Sequence, residues 1–494
     1  MRSLLSALAL TLLLAAPAGA SATLPDSPLG RHARAYFEAY AAGDSASIAR
    51  YASEHVAPDS RARTPMSERV RRFREMKSDH GALTIVDVPG DDSAELTVHV
   101  RDEHGESMLL TFMAAPGPEH LLMGMRVEIG EGGGAGGPGG APGDADRSPL
   151  SEAQAAQAIR DELARRPDFA GVVLLANGDM RLLAEARGLA DRVRKTPVTM
   201  ETRFNFASIG KIFTRLAIAQ LAQGGKISLD DKVTRWVPQY KVANAEKITL
   251  DQLVEHRGGV PDVLELVHQA NAQAKMVDVP SWVHLLLDQP LEFEPGTKNQ
   301  YSNGGYVLLG AVVQHVSGAD YYDYCRQHIF APAGMTASAW DRKDSPAGQR
   351  ATGYTRDLEP APGGGHKPAD LSKPRESAMA GWPMRGSPAG GGFTSANDLW
   401  KFAEALRAGK LASPAWSQWV VGGPAPTGAK ADPGPGFEGI GFGIAGGAPG
   451  TNGVLEFAGP YDVVVLTNDD PPGAEDLMRA IRGILRRVPP VKRT

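Results

Sequence analysis

The chain has 494 residues, of which 42% are hydrophobic and 22% are charged, and its formal net charge at pH 7 is -5. This length suits two to four domains, and the composition is that of an ordinary globular protein. The negative balance excludes nucleic acid as the main partner.

The first twenty residues have the pattern of a secretory signal peptide. One positive charge at Arg2 precedes a short apolar run that ends near Ala15, and the small residues Ala18-Gly-Ala20 follow. The run is too short for a bilayer-spanning helix. We therefore predict cleavage after Ala20, with Ala22 as a second choice, and a periplasmic or secreted protein without a membrane span.

Residues 28–130 have the pattern of a small α+β domain. Helical periodicity begins near Arg31 and continues through Ile48 to Val56, and a third helix is expected from Ser67 as its N-cap. Four alternating runs bounded by turn residues predict strands over Leu83–Val88, Ala94–Val100, Ser107–Met113 and His120–Ile129. This order resembles nuclear-transport-factor-2-like domains. Because these residues contain no catalytic constellation, we interpret the domain as an accessory one.

Residues 131–147 are predicted to form a linker. They are dominated by glycine and proline, with Gly132-Gly-Gly-Ala-Gly-Gly-Pro-Gly-Gly140 at the centre. Such a composition cannot bury enough apolar surface to order itself. The linker therefore separates the accessory domain from a second domain over residues 150–490.

The most informative stretch is Arg203-Phe-Asn-Phe-Ala-Ser-Ile-Gly-Lys-Ile-Phe-Thr214. Ser208 and Lys211 share one face at the start of a helical pattern, since positions three apart are neighbours there. A serine hydroxyl needs a base to become a nucleophile, and a lysine whose pKa is lowered by burial or nearby charge can be that base. The helix N-terminus adds donors for an oxyanion. The pair alone is too short a motif to predict an enzyme.

The surroundings of this pair resemble the class C β-lactamase family, which also contains esterases and D-aminopeptidases. A predicted helix (Glu152–Arg165), an apolar strand (Gly171–Ala176), an Asn177-Gly178 turn and a second strand (Met180–Ala186) precede it. Ile248–Pro261 resembles the family segment that ends in His-Thr-Ser-Gly, and Ala474–Val488 resembles its closing helix. The resemblance implies an α+β fold with an antiparallel sheet flanked by helices, a helical lobe, and a site between them.

A second motif, Tyr301-Ser-Asn303, follows the serine with matching flanks. The resemblance implies that Tyr301 relays protons beside Lys211 and that Asn303 orients the lysine and the substrate. The catalytic residues are therefore predicted to be Ser208, Lys211 and Tyr301, with Asn303 as a binding residue.

The third motif departs from the family. Where relatives carry Lys-Thr-Gly or His-x-Gly, this chain has Ile444-Ala-Gly446, followed by Gly447 and by predicted strands over Gly453–Phe457 and Asp462–Leu466. The resemblance still implies an oxyanion hole from the backbone N–H groups of Ser208 and Gly447, with Gly446 beside them. Because Ile444 replaces a cationic or hydrogen-bonding side chain, efficient turnover of carboxylate-bearing β-lactams is not expected.

We therefore predict an exported serine hydrolase that acts on small ester, amide or peptidoglycan-like substrates through an acyl-enzyme, most similar to esterases. Two alternatives stay open: a binding protein of the same fold that has lost catalysis, and a D,D-peptidase or true β-lactamase. No metal or cofactor is expected, since no His, Cys and Asp cluster has ligand spacing.

Several other features admit two interpretations, and we favour the structural one for each. Asp230 and Asp231 suit a turn better than an acid–base pair, and Cys325 suits a core position better than a nucleophile. His256 is expected to be structural rather than a base. The glycines at 390–392 lack a following Gly-Lys-Ser/Thr, so they predict close packing rather than phosphate binding. Ser395 and Asp398 have the spacing of a capping box.

Overall fold

The structure is a computed structural model that describes residues 23–63, single positions between 64 and 80 (66, 69, 73, 76, 77 and 80), 81–91, 94–103, 107–115, 117, 119–129, 149–346, 348–356, 373–423, 425–426 and 442–489. The predicted signal peptide, the predicted linker and Ser67 lie outside these residues. The chain divides into two compact units, residues 1–143 and 144–494.

The first unit packs helices against a four-stranded meander. Its helices include α1 (Pro28–Ala42), α2 (Ser45–His55) and α3 (Pro58–Arg63), and its strands include β1 (Thr84–Asp91), β2 (Glu95–Arg101), β3 (Ser107–Ala114) and β4 (Leu122–Ile129). The described positions between 66 and 80 are also helical. The strands pair antiparallel in the order β1-β2-β3-β4. Alternate residues of β2, namely Leu96, Val98 and Val100, are fully buried in a core that includes Tyr36. The four predicted strands are present, and the resemblance to nuclear-transport-factor-2-like domains stays a prediction.

The second unit is built on a five-stranded antiparallel sheet. Its strands are β5 (Gly171–Asn177), β6 (Met180–Arg187), β7 (Phe442–Ala448), β8 (Thr451–Ala458) and β9 (Tyr461–Thr467), in the order β7-β8-β9-β5-β6. The hairpin between β5 and β6 forms as predicted. Its turn is displaced by one residue, because Asn177 pairs with Met180 and leaves Gly178 and Asp179 as the loop.

Helices cover both faces of this sheet. On one face, Val173 and Leu175 pack with α4 (Glu152–Ala164) and the closing helix α8 (Gly473–Leu485). On the other, Val172 and Leu174 join the larger core beneath the helical lobe. Strand β5 is therefore buried along its whole length, which explains why its sequence is a continuous apolar run rather than an alternating one.

The helical lobe contains α5 (Lys211–Gln223), α6 (Asn303–Ser317) and α7 (Ala396–Arg407). Leu216 of α5 and Val307 of α6 are fully buried in the shared core. Shorter helices lie at Val233–Trp236, Leu250–Val254, Val263–Gln269, Val279–His284, Tyr321–Cys325, Ala331–Ala333 and Pro414–Val420, and short strands at Leu189–Asp191, Thr196–Pro197, Phe204–Asn205, Tyr354–Thr355, Glu376–Ser377 and Phe393–Thr394.

The structure shows the surroundings of three features for which the sequence allowed more than one role. Cys325 is fully buried, and burial raises the pKa of its thiol to about 12, so it is a core residue rather than a nucleophile. Asp231 accepts from the backbone N–H of Ser228 (2.9 Å) in a turn. The capping-box expectation is only half right: Ser395 accepts from Asp398 N (3.2 Å), but the Asp398 carboxylate turns away to Ala337 N (2.7 Å).

Within the part of the chain that the structure describes, no helix is both long enough and apolar enough to cross a bilayer.

Candidate active site

The nucleophile turn (Ala207–Gly210) is a short 3-10 helix that continues directly into α5, whose first residue is Lys211. In a 3-10 turn, residues three apart lie above one another. Lys211 Nζ accordingly donates to Ser208 Oγ over 3.1 Å. The two residues that the sequence singled out are therefore in direct contact.

Close backbone packing shapes this turn. Ala207 has a left-handed backbone (φ 41°), a strained conformation for alanine of the kind found at functional sites, and Asn205 Oδ1 accepts from its N–H at 2.8 Å. Behind it, a Cβ on Gly390 would lie 1.9 Å from the carbonyl oxygen of Ala207. The glycine-rich segment therefore serves close packing, as predicted, because any larger residue at 390 would displace the turn.

The amine of Lys211 is buried among three oxygen atoms. Its side chain is 5% exposed, and Nζ donates to Ser208 Oγ (3.1 Å), Asn303 Oδ1 (2.6 Å) and the carbonyl oxygen of Ala389 (2.9 Å). An ammonium group has three donors. Each of them has an acceptor in this arrangement.

The hydroxyl of Tyr301 approaches the serine from the other side. Its oxygen lies 2.6 Å from Ser208 Oγ, whereas its distance to Asn303 Oδ1 is 3.5 Å. Tyr301 is 43% exposed. Ser208 Oγ thus lies between a buried amine and a phenol that faces solvent.

The loop over residues 256–262 holds the Tyr-x-Asn segment in place. Ser302 N donates to His256 Nδ1 (3.1 Å), and Asn303 Nδ2 donates to Asp262 Oδ2 (2.8 Å). The ring of His256 lies 4.7 Å from that of Tyr301, centroid to centroid. Both ends of the segment are therefore fixed by side chains from one loop.

His256 is a structural residue in this arrangement. Burial first, and the nearby positive charge of Lys211 second, lower the pKa of its imidazole to about 4. The neutral ring accepts a backbone hydrogen bond through Nδ1, which supports the structural interpretation over that of a base.

Strand β7 closes the opposite side of the site. A Cβ on Gly446 would lie 2.7 Å from Ser208 N, so only glycine allows the strand to approach this closely. Gly447 lines the cleft together with Ser208. The N–H of Ser208 belongs to the first turn of its helix, where amides lack intrahelical partners. Ile444 lies two positions before Gly446 on β7, and its side chain packs against the main core.

The cleft beside Ser208 has a volume of about 110 Å³ and is mostly apolar. Its apolar lining includes the large side chains of Leu264, Trp282, Met379, Trp382, Met384 and Phe393.

Two charged residues also line this cleft, and both are engaged. Asp341 pairs with Arg203 at 2.8 Å. Lys343 Nζ donates to the carbonyl oxygens of Met379 (3.2 Å) and Trp382 (2.8 Å), and burial lowers the pKa of its amine. The charge of Asp341 is therefore compensated by Arg203, whereas the amine of Lys343 is held by backbone carbonyl oxygens.

Among the described residues, no group of three or more His, Cys, Asp or Glu side chains is placed to hold a metal ion.

The comparisons with known proteins agree with this geometry. The profile of the family described as Beta-lactamase matches residues 155–486, which is more than half of the chain. The chain belongs to the beta-lactamase family. The predicted resemblance and the predicted fold are thereby confirmed, and the family is one of serine hydrolases.

Two curated relatives of the family match part of the chain. A penicillin-binding protein of Bacillus subtilis (strain 168) is 32% identical over 207 residues, which cover 41% of this chain and 45% of the relative. Protein flp of Staphylococcus aureus (strain NCTC 8325 / PS 47) is 29% identical over 188 residues, or 37% of each chain. The match thus spans less than half the length of these relatives.

Several solved structures share the fold over a larger part of the chain. A penicillin-binding protein from Bacillus halodurans superposes with a TM-score of 0.56 at 25% identity, covering 66% of this chain and 99% of its own. A D-amino acid amidase from Ochrobactrum anthropi SV3 has a TM-score of 0.53 at 23% identity, covering 67% and 97%. EstCE1, a hydrolase with promiscuous acyltransferase activity, has a TM-score of 0.52 at 24% identity, covering 68% and 98%.

Sequence reasoning missed two contributors to this site. Asp262 carries the signal of an N-cap, because it precedes the apolar pattern of Val263–Gln269, but nothing local shows that it also reaches Asn303. Ala389 contributes only its carbonyl oxygen. Because every residue has a backbone carbonyl, the sequence pattern does not indicate this role.

Replacing His256 by asparagine tests its burial as a neutral ring. Because the folded pKa is about 4 and the ordinary value 6.5, the unfolded chain binds more protons between these pH values. This group therefore makes the free energy of unfolding fall as the pH drops from 6.5 to 4, by about 3 kcal/mol at most. Asparagine keeps an acceptor and tolerates the left-handed backbone at 256 (φ 54°).

We expect His256→Asn to lose less stability than the wild type between pH 6.5 and pH 4, measured by urea unfolding at several pH values. Equal losses in the two proteins would contradict burial of a neutral histidine.

Proposed function

We propose that the protein is an exported serine hydrolase that cleaves neutral esters or amides through an acyl-enzyme, as an esterase-like member of its family. The observation that carries the proposal is the position of Ser208 Oγ, 3.1 Å from Lys211 Nζ and 2.6 Å from the hydroxyl of Tyr301. A hydroxyl placed between two proton-transfer groups is the arrangement that nucleophilic catalysis requires.

In the acylation step, Lys211 in its amine form takes the proton of Ser208 as Oγ attacks the carbonyl carbon. The backbone N–H groups of Ser208 and Gly447 stabilise the oxyanion of the tetrahedral intermediate. When the intermediate collapses, the bond to the leaving group breaks and Tyr301 gives its proton to that group. Lys211, which holds the proton taken from Ser208, then protonates Tyr301.

In the deacylation step, a water molecule attacks the acyl-enzyme. Tyr301 is the group placed to activate it, because its hydroxyl contacts Ser208 Oγ and the residue is 43% exposed to solvent. The proton of the water passes to Tyr301 as the phenol gives its own proton to the amine of Lys211, and Ser208 Oγ takes that proton from Lys211 when the tetrahedral intermediate releases the acid.

The neutrality of the substrate is inferred from the cleft. Ile444 stands in place of the polar residue of the third motif, Asp341 is paired with Arg203, and Lys343 is bound to carbonyl oxygens. Among these side chains Lys343 is the cation, and two backbone carbonyl oxygens already accept hydrogen bonds from its ammonium group. The structural neighbours named as an amidase and as a hydrolase fit an activity on amides or esters, and the penicillin-binding relatives keep a peptidoglycan-like substrate as a further candidate.

Export is part of this proposal and follows from the first twenty residues. Expressed with its own leader in a Gram-negative host, the protein is expected in the periplasmic fraction with Ser21 as its first residue. Intact-mass measurement of the fractionated protein checks this. Full-length protein confined to the cytoplasm would contradict export.

Covalent labelling tests the nucleophile. We expect a fluorophosphonate to add one adduct to the wild type and none to Ser208→Ala. Lys211→Gln should slow labelling by about 10²- to 10⁴-fold, the usual contribution of a general base. The matched control is Ser53→Ala, which removes an exposed serine hydroxyl of the first unit and should label normally. A wild type that gives no adduct with fluorophosphonate or penicillin would instead indicate a binding protein that has lost catalysis.

The role of Ile444 is tested by introducing a lysine, the residue that relatives with Lys-Thr-Gly carry at this position. Ile444→Lys should increase the rate of acylation by benzylpenicillin by at least about tenfold, the size of a hydrogen bond to a charged group. The rate with a neutral p-nitrophenyl ester should change little. Ile444→Met is the control, since it alters shape without adding charge. Equal penicillin rates in the two variants would refute electrostatic exclusion of carboxylates.

A further inference from the structure

The side-chain amide of Asn303 lies between a cation and a carboxylate. Its Oδ1 accepts from Lys211 Nζ at 2.6 Å, and its Nδ2 donates to Asp262 Oδ2 at 2.8 Å. The two ends of an amide differ, because the oxygen accepts and the NH₂ group donates, whereas a carboxylate only accepts. Asp262 can therefore pair only with the NH₂ end, and this leaves the oxygen facing the lysine.

Asp262 has no freedom to turn either oxygen away. Its Oδ1 accepts from Leu264 N at 2.8 Å as the N-cap of the helix Val263–Gln269, and its Oδ2 accepts from Asn303. Both positions on the carboxyl group must therefore be acceptors. An isosteric amide at 262 could satisfy only one of them.

The orientation of the Asn303 amide determines the direction of the lone pair on the neutral amine of Lys211. A neutral amine has two N–H bonds and one lone pair. Asn303 Oδ1 and the carbonyl oxygen of Ala389 can only accept, so they take the two N–H bonds. Of the three partners of Nζ, Ser208 Oγ is the one that carries a proton to give, and the lone pair is directed to it.

We propose that Asp262 is a positioning residue for acylation: it fixes the amide of Asn303 and thereby directs the lone pair of Lys211 at Ser208. The inference deepens the proposed function and rests on it. With Asn303 reversed, its NH₂ group would face the amine and compete with Ser208 for the lone pair.

Asp262→Asn is the decisive variant. If its side-chain oxygen caps the helix, its NH₂ group faces Asn303, which must then turn its own NH₂ toward Lys211. The experiment is inactivation by a fluorophosphonate, with the maximal rate constant kinact and the half-saturating concentration KI measured separately. We expect kinact to fall about 10- to 100-fold, as for loss of a hydrogen bond to a charged group. KI and the thermal midpoint should stay close to wild type, because asparagine caps helices as well as aspartate does.

The matched control is Asp278→Asn, which changes the N-cap of the helix Val279–His284 in the same way. Its kinact should equal that of the wild type. Asp262→Ser is the second variant, because serine caps well but is too short to reach Asn303, so kinact should fall here too.

The outcomes separate the two proposals. A reduced kinact in both Asp262 variants, with KI and thermal midpoint unchanged, supports the positioning role. An unchanged kinact in Asp262→Asn overturns it, and so does a loss of folded protein in both variants that accounts for the lost rate. A wild type that gives no adduct overturns the proposed function and this role together, whereas a reactive wild type with unaffected variants overturns this role alone.

Discussion

The buried amine of Lys211 is the constraint on which the site depends. A charged or strongly polar group away from water is costly unless it is paired. Its three acceptors come from three separate stretches of chain: Ser208 from the nucleophile turn, Asn303 from the start of α6, and Ala389 from the glycine-rich segment. One nitrogen atom therefore joins these stretches. The close packing of Gly390 against Ala207 and the strained backbone of Ala207 follow from the need to bring them so near.

The first two sequence motifs of this member of the beta-lactamase family meet in one site, and its third motif lacks a polar side chain. The serine, lysine, tyrosine and asparagine retain mutual hydrogen-bond distances, and Gly446 keeps strand β7 against the nucleophile turn. The third motif differs, with the apolar Ile444 on β7 packed against the core, and the charged residues of the cleft, Asp341 and Lys343, already have partners within the protein. In the proposed function, Ser208 and Lys211 lie on the nucleophile turn and α5, whereas Ile444 lies on β7 together with Gly446 and Gly447.

Sequence patterns predicted those parts of the fold and of the candidate site that depend on the types and spacing of side chains. Ser208, Lys211, Tyr301 and Asn303 were found because their types and flanks form motifs, and β5 because both of its faces are apolar. The turn after β5 was displaced by one residue, since strand pairing rather than the Asn-Gly signal fixes the register. Asp398 was predicted only as a capping-box partner, and Asp262 was not singled out, yet each reaches a distant segment. Contacts across the tertiary structure, like the backbone oxygen of Ala389, have no local signature.

The sheet of the second unit joins the two ends of its own sequence, with β5 beside β9 and Thr467 Oγ1 bonded to a carbonyl oxygen 297 residues earlier. Pairings between such distant segments form late, because a long loop must close first. A polypeptide that leaves the ribosome from its N-terminus exposes Ser208 long before β7 exists to supply Gly447. In the proposed mechanism, Ser208 is therefore synthesised well before the residue whose N–H completes its oxyanion hole.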